Sequence, residues 1–377
     1  MADLGHVALG AWSGGRTLHF GVPIEEDRLV SLLRPDDRCS TVITADAYGA
    51  GEGDRIVGRA LAGLVRDSFQ LVGAIGHDFY RAERDGPRGF PRFTDPSLGG
   101  PAGYADYVRL ATEKSLERCG VDRFDVLLLH NPDRLGYTSE AVWAALAQVR
   151  DEGLCDAIGL APGPANGYTL DVIACVERFG ALIDWAMIIL NPLEPWPGRL
   201  LLPALAAADV KAIARVVDYG GLFHDGLRPG DELPRIDHRS FRPDGWIERG
   251  MERVEQIRPI AERHGLTPIQ LACQWDLAHP PVACCAPTLI QELEPARKTV
   301  EEQRRELAAT PREIVLTAEE IAEIAAIGEN AGSMALKGGS AVHEGDETPD
   351  RWPLHDELRE VAERYGIVPE RDLVLVA

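Results

Sequence analysis

Short apolar runs rich in Val, Ile and Leu alternate along most of the chain with amphipathic stretches of roughly 10 to 20 residues, the pattern of a parallel sheet with crossover helices. Eight runs read as strands: VALGAW from Val7, TVITA from Thr41, QLVGAI from Gln70, FDVLLLH from Phe124, CDAIGLA from Cys155, WAMIIL from Trp185, VKAIARVV from Val210 and PVACCA from Pro281. The stretches between them carry helix signals. SEAVWAALAQVRDEG from Ser139 has apolar residues at i, i+3 and i+4 and a stop at Gly153. TPIQLACQWDLAH from Thr267 offers Thr267 as N-cap, Pro268 in the first helical position and Gln270 to complete a capping box. Eight strand–helix units within about 330 residues fit an α/β fold closed as a (β/α)8 TIM barrel better than an open sheet, with function at the C-terminal ends of the strands.

Two stretches interrupt the alternation. DGPRGFPRFTDPSLGGPAG (Asp85 to Gly103) follows the third strand, and GGLFHDGLRPGDELPRIDHRSFRP, from Gly220, follows the seventh. Both are dense in Pro and Gly and read as long loops over the active-site face. Beyond Asn330 the pattern gives loop residues, one helix from about Asp356 to Tyr365 and a short apolar end. The expected organisation is a barrel over residues 1–330 and an extension, 331–377, packed on it rather than folding as a separate domain.

Composition narrows the partners. Sixty acidic residues against 39 basic ones give a net charge of -21, which repels a nucleic-acid backbone or an anionic membrane surface, so a small-molecule substrate is expected instead. Nothing in the sequence demands more than a monomer or a small homo-oligomer. The seven cysteines are scattered, with no C-x-x-C pair, and read as buried reduced thiols; Cys284 and Cys285 belong to the core. No run approaches 18 apolar residues and the opening MADLGHVALGAW lacks a basic segment before an apolar one, so the expected location is cytoplasmic. Asp46, Asp133 and His130 come nearest to a metal-ligand set, but without a dedicated spacing no metal is expected.

Five pieces, in their order and spacing, resemble the aldo-keto reductase family over residues 1–330: TADAYGAGEGDRIVGRAL (Thr44 to Leu61), DVLLLHNPD (Asp125 to Asp133), EGLCDAIGLA (Glu152 to Ala161), GGLFHDGLRPGDELPRIDHR (Gly220 to Arg239) and AERHGLTPIQLACQW (Ala261 to Trp275). The resemblance implies the same barrel and, in a typical member, carbonyl reduction with a nicotinamide cofactor and a tetrad of Asp, Tyr, Lys and His. It places the tyrosine on Tyr48 and the histidine on His130, while the aspartate falls on Ile43 and the lysine on Ala74. Losing one member of a buried ion pair strands a charge at about 3 to 5 kcal/mol, whereas losing both to apolar residues can be neutral, so Ile43 with Ala74 is a coherent replacement. Without the ammonium the phenol keeps a pKa of about 10 and is a proton donor rather than a base.

The cofactor contacts implied by the resemblance are altered too. The Ser-Asn pair that holds the carboxamide becomes Ala161 and Pro162. The glutamine of strand six falls on or beside Leu190, with Asn191 as a stand-in, and the stacking aromatic after strand seven becomes Arg215. The phosphate loop reads APTLIQELE, with Thr288 in place of glycine and Glu292 and Glu294 opposing a 2'-phosphate, partly compensated by Arg297 and Lys298. If a nicotinamide cofactor binds, Gly221, Leu222, Pro287 and Thr288 are the residues expected to hold it. No cofactor is favoured, and NADP or NAD is the alternative.

Three readings stay open at this level. The first keeps Tyr48 and His130 as a proton-transfer pair for non-redox chemistry (dehydration, elimination or isomerisation) on a polar, sugar-like or hydroxy-carbonyl molecule. Arg215 would contact substrate or pair with Asp218 or another nearby carboxylate, Trp12 would wall the pocket, and Asn191 and His77 would add contacts, although His77 and Tyr80 serve equally as loop residues. The second is an NAD(P)-dependent carbonyl reductase with a weakened tetrad. The third is a catalytically inactive binding module.

Overall fold

The computed structural model describes residues 3–86, 89–163, 168–196, 198–328, 333–334, 345–373 and 375–376. Residues 87 and 88 of the Pro/Gly-rich stretch, and most of 329–344 in the expected extension, lie outside them. Eight strands form one parallel sheet in chain order: β1 (Ala8–Gly10), β2 (Thr41–Ile43), β3 (Gln70–Ile75), β4 (Phe124–His130), β5 (Cys155–Ala161), β6 (Trp185–Ile189), β7 (Lys211–Arg215) and β8 (Val282–Ala286). A parallel bridge between Val7 and Cys285 closes the circle, and the Cys285 N–H donates to the His6 carbonyl at 2.9 Å. The chain is therefore the (β/α)8 barrel that the alternation predicts, and each expected strand is present.

The strands read as continuous apolar runs because both faces are buried. Inward-facing Ala8, Ile43, Val72, Ala74, Val126, Leu128, Trp185, Met187, Ile213 and Cys284 form the barrel interior, while the alternate residues pack on the surrounding helices. Ile43 and Ala74 both sit in this interior layer, so the space that an ion pair would need is apolar. Backbone approach is close where β5 meets β6: a Cβ on Gly159 would stand 2.1 Å from the Trp185 carbonyl oxygen, which only glycine allows. The helix Glu140–Asp151 stops before Gly153, which is left-handed at φ 81°, and in the helix Pro268–Leu277 the Gln270 side chain accepts from the Thr267 N–H at 2.9 Å. All seven cysteines are buried free thiols, and burial pushes Cys284 and Cys285 well above the ordinary thiol range. No described helix is long and apolar enough to cross a membrane.

Near the C-terminus the helix Asp356–Arg364 packs on the barrel helix Tyr168–Phe179, and Leu375–Val376 pairs in parallel with Ser333–Met334. Trp352 is buried against Tyr168 and Tyr137, and its indole N–H donates to Asp171 Oδ1 at 2.9 Å. The other carboxyl oxygen of Asp171 is buried with no hydrogen-bond partner among the described residues, and burial raises this acid to about 8 against the bond from Trp352. An acid raised on folding contributes its full stability below the unfolded value near 4 and loses it as pH rises through about 8. Asp171→Asn, which keeps the acceptor and removes the charge, is therefore expected to melt near wild type at pH about 4 and several degrees above it at pH about 8, as scanning fluorimetry across pH would record.

Candidate active site

Three strand ends place the polar groups of the barrel mouth. Past β2 the ladder continues, with Thr44 N–H to the Val72 carbonyl (2.9 Å) and Asp46 N–H to the Ala74 carbonyl (3.0 Å), and a turn closed by Tyr48 N–H on the Ala45 carbonyl (3.0 Å) presents Tyr48. His130 is the last residue of β4, and Arg215 the last of β7, opposite Ile189 and Ala286. The Tyr48 and His130 rings meet edge to face at 5.7 Å, Trp12 stands 6.3 Å from Tyr48, and His77 stands 5.3 Å from His130. The structure thus brings Tyr48, His130, Trp12 and His77 together, with Arg215 close enough to perturb both Tyr48 and His130.

These groups are deep, and depth sets their protonation. Burial raises the Tyr48 phenol to about 12 even though the Arg215 charge opposes the shift. The phenol therefore sits higher than the ordinary value expected without its lysine. Burial also drives His130 well below the ordinary histidine value, helped by His77, Arg215 and Arg92, and holds His77 down at about 4. At neutral pH the pair is a protonated phenol beside an uncharged imidazole. His130 Nδ1 is buried and has no hydrogen-bond partner among the described residues.

Among the described residues Arg215 is anchored at one point, Nη2 donating to the Pro162 carbonyl at 3.0 Å, and its buried Nε has no partner there. It does not pair with Asp218, whose two carboxylate oxygens accept from the backbone N–H groups of Thr288 (2.7 Å) and Gly221 (2.9 Å). Glu194, missed in the sequence for want of a motif, is buried nearby and forms its ion pair with Arg242 at 3.6 Å. Directly after Arg215 the backbone turns left-handed at Val216, φ 61°, a conformation that strains a β-branched residue by about 1–3 kcal/mol. Asn191 holds that turn: its Nδ2 donates to the Val216 carbonyl and its Oδ1 accepts from the Leu193 N–H, each at 2.9 Å. Asn191 is fully buried, so the structure makes it a brace for the β7 end and not one of the groups lining the mouth.

His77 is likewise anchored, Nδ1 to the Phe90 carbonyl at 2.9 Å and Nε2 to the Asn131 amide at 3.3 Å. The Pro/Gly-rich loop does return over this end: Phe93 N–H reaches the Gly76 carbonyl, and Arg92 Nε donates to the Asn131 carbonyl at 2.9 Å. Tyr80 belongs to a buried chain behind the site, accepting from Arg118 at 2.8 Å and donating to Asp46 at 3.3 Å. Asp133 caps the helix Arg134–Thr138, and among the described residues no three potential metal ligands converge.

The groove over β7 and β8 is tied shut by the chain's own groups. Trp12 Nε1 donates to Thr288 Oγ1 (3.1 Å), Gly14 N–H to the Leu289 carbonyl (3.0 Å) and Val22 N–H to the Gln291 carbonyl (2.8 Å), locking the loop after β1 onto the loop after β8. Arg239, 1% exposed, forks onto Asp237 (3.0 and 2.7 Å) and Glu292 (2.6 and 2.9 Å), and Asp237 Oδ2 also accepts from Gly21 N–H at 2.8 Å. A Cβ on Gly221 would stand 3.2 Å from Glu292 Oε1. Arg297 and Lys298 form their ion pairs with Asp231 and Glu306, and Arg297 still acts on Glu292 through its charge. Leu222 is fully buried and Pro287 is buried beside Thr288. The groups meant for a nicotinamide cofactor therefore do not fit one well: the carboxamide partners are Ala161 and Pro162, the Asn191 amide is engaged, and a carboxylate already occupies the N–H groups of Gly221 and Thr288.

Comparison with known proteins places this geometry. A model described as "Aldo/keto reductase family" matches residues 36–329. A curated relative from Glycine max, "Probable aldo-keto reductase 1", is 25% identical over 279 residues, 71% of this chain and 73% of the relative. Among solved structures, the glycerol dehydrogenase of Gluconobacter oxydans superposes with a TM-score of 0.66 at 21% identity, covering 86% of this chain and 91% of that one. An aldo/keto reductase from Klebsiella pneumoniae solved with NADP and acetate superposes at 0.58 with 19% identity, covering 89% and 95%.

Proposed function

The chain belongs to the aldo/keto reductase family, and from that premise we propose that it is a family-fold enzyme that moves protons on a small hydroxy- or oxo-compound without a nicotinamide cofactor. The observation that carries this reading is the carboxylate of Asp218 seated on the N–H groups of Gly221 and Thr288, two of the residues that the family resemblance would turn to a nicotinamide cofactor. The apolar Ile43 and Ala74 in place of an ion pair and the Tyr48–His130 contact support it.

The steps follow from the protonation states. Tyr48, raised to about 12, keeps its proton through neutral pH and donates it to a carbonyl or leaving oxygen. Uncharged His130 accepts a proton from the adjacent carbon, and the Arg215 charge stabilises the oxygen as negative charge builds on it. Return of the proton to a different carbon is isomerisation; departure of a neighbouring hydroxyl as water is dehydration. Incubated in D2O with hydroxy- and oxo-compounds and no nucleotide, the protein is expected to place deuterium on the carbon beside the carbonyl, which NMR reads directly. Conversion only when NADPH is added, with loss of its absorbance, would overturn the reading.

A second reading, an NADP-dependent carbonyl reductase in which Tyr48 is the acid and His130 orients the carbonyl, is favoured by the similarity to the Klebsiella protein solved with NADP. The same experiment separates the two.

A further inference from the structure

We propose that the substrate is a small monocarboxylate with a hydroxyl or carbonyl group one or two carbons away, its carboxylate bound by Arg215 and its second oxygen facing Tyr48 and His130. For its chemistry the inference rests on the proton-transfer reading above; for binding it rests on Arg215 alone. A guanidinium carries five N–H donors, yet among the described residues Arg215 makes one bond, to the Pro162 carbonyl, and its buried Nε makes none. A cation withdrawn from water is costly unless it is paired, and among the described residues no carboxylate bonds to this one: Asp218 sits on backbone N–H groups, and Glu194, whose charge acts on Arg215, stands 3.6 Å from Arg242. The fork is also held in place, by Pro162 on one side and by the strained Val216 that Asn191 braces on the other.

The neighbours narrow the charge of the ligand. Tyr48, His130 and His77 are uncharged at neutral pH, Arg92 pairs with Asp350, and Glu194 already acts on Arg215, so a single negative charge suits the unfilled donors of Arg215 better than two. A planar carboxylate matches the guanidinium edge and adds no second charge, unlike a phosphate dianion. The Arg215 charge acts on both Tyr48 and His130, so a carboxylate bound to it stands on the side of the mouth that holds the proton-transfer pair.

The test is calorimetric titration of the full chain at neutral pH with glycolate, lactate and pyruvate, against the neutral analogues lactamide and propane-1,2-diol. The carboxylates are expected to saturate, with the neutral analogues at least about tenfold weaker. Arg215→Gln is expected to lose about 10- to 100-fold in carboxylate affinity and to equalise acid and amide, with Arg215→Lys between. If Arg215→Gln fails to fold, the comparison of acid with amide on the native protein still decides. Equal binding of acids and neutral analogues, or no acid binding up to tens of millimolar, would overturn the proposal. Acid binding without deuterium exchange would uphold the carboxylate site and remove the proton-transfer reading; exchange confined to neutral compounds would do the reverse.

Discussion

Tyr48→Phe is expected to lower deuterium exchange by about 100- to 10,000-fold, the range that a positioned general acid contributes. The fold should not notice the change. The Tyr48 hydroxyl makes no hydrogen bond among the described residues, and the ring contacts with Trp12 and His130 survive in phenylalanine. The pH profile gives a second check on the same pair. An ordinary histidine base loses activity as pH falls through about 6.5, but burial beside His77 and Arg215 holds His130 well below that value. Its proton is refused until more acid pH, so the rate should hold through the range where a free imidazole titrates, and at the alkaline end Tyr48 keeps its proton until about 12. Near wild-type exchange in Tyr48→Phe would mean that the acid lies elsewhere.

The largest loss of stability is expected from Arg239→Met. Arg239 is wrapped by two buried carboxylates, Asp237 and Glu292, and also donates to the Gly220 carbonyl at 3.0 Å. Removing the cation leaves two carboxylates facing each other away from water, for a destabilisation of about 3–5 kcal/mol. It also unties the loop after β7 from those after β1 and β8. A denaturant titration followed by tryptophan fluorescence measures it as a fall in midpoint. A change below about 1 kcal/mol would show that the cluster is relieved by water entry and is not the clasp described above.

Much of the barrel was legible because its strands are buried on both faces: runs such as FDVLLLH and WAMIIL need no partner to declare themselves. Tyr48 and His130 were legible through the motifs flanking them, and Ile43 and Ala74 through the loss of both members of a pair at once. The rest depends on contacts between loops distant in sequence. Asp218 lies three residues from Arg215, and proximity in sequence suggested a pair, but the left-handed turn at Val216 carries it to Gly221 and Thr288 instead. Asn191 looked like a ligand because the family resemblance puts it beside the glutamine position of strand six, and only the structure shows its amide clamped on backbone. Glu292 read as a charge offset only in part by Arg297 and Lys298, since its partner Arg239 is 53 residues away. Glu194 carried no local signal at all.

The central claim, that the family barrel here works without its nicotinamide cofactor, is tested most directly by titrating the purified protein with NADPH and NADH, followed by tryptophan quenching and calorimetry. With Asp218 on the N–H groups of Gly221 and Thr288 and the three loops locked together, no saturable binding is expected up to millimolar nucleotide. Saturation in the low micromolar range by either nucleotide would contradict the claim and make this protein a reductase with an altered tetrad.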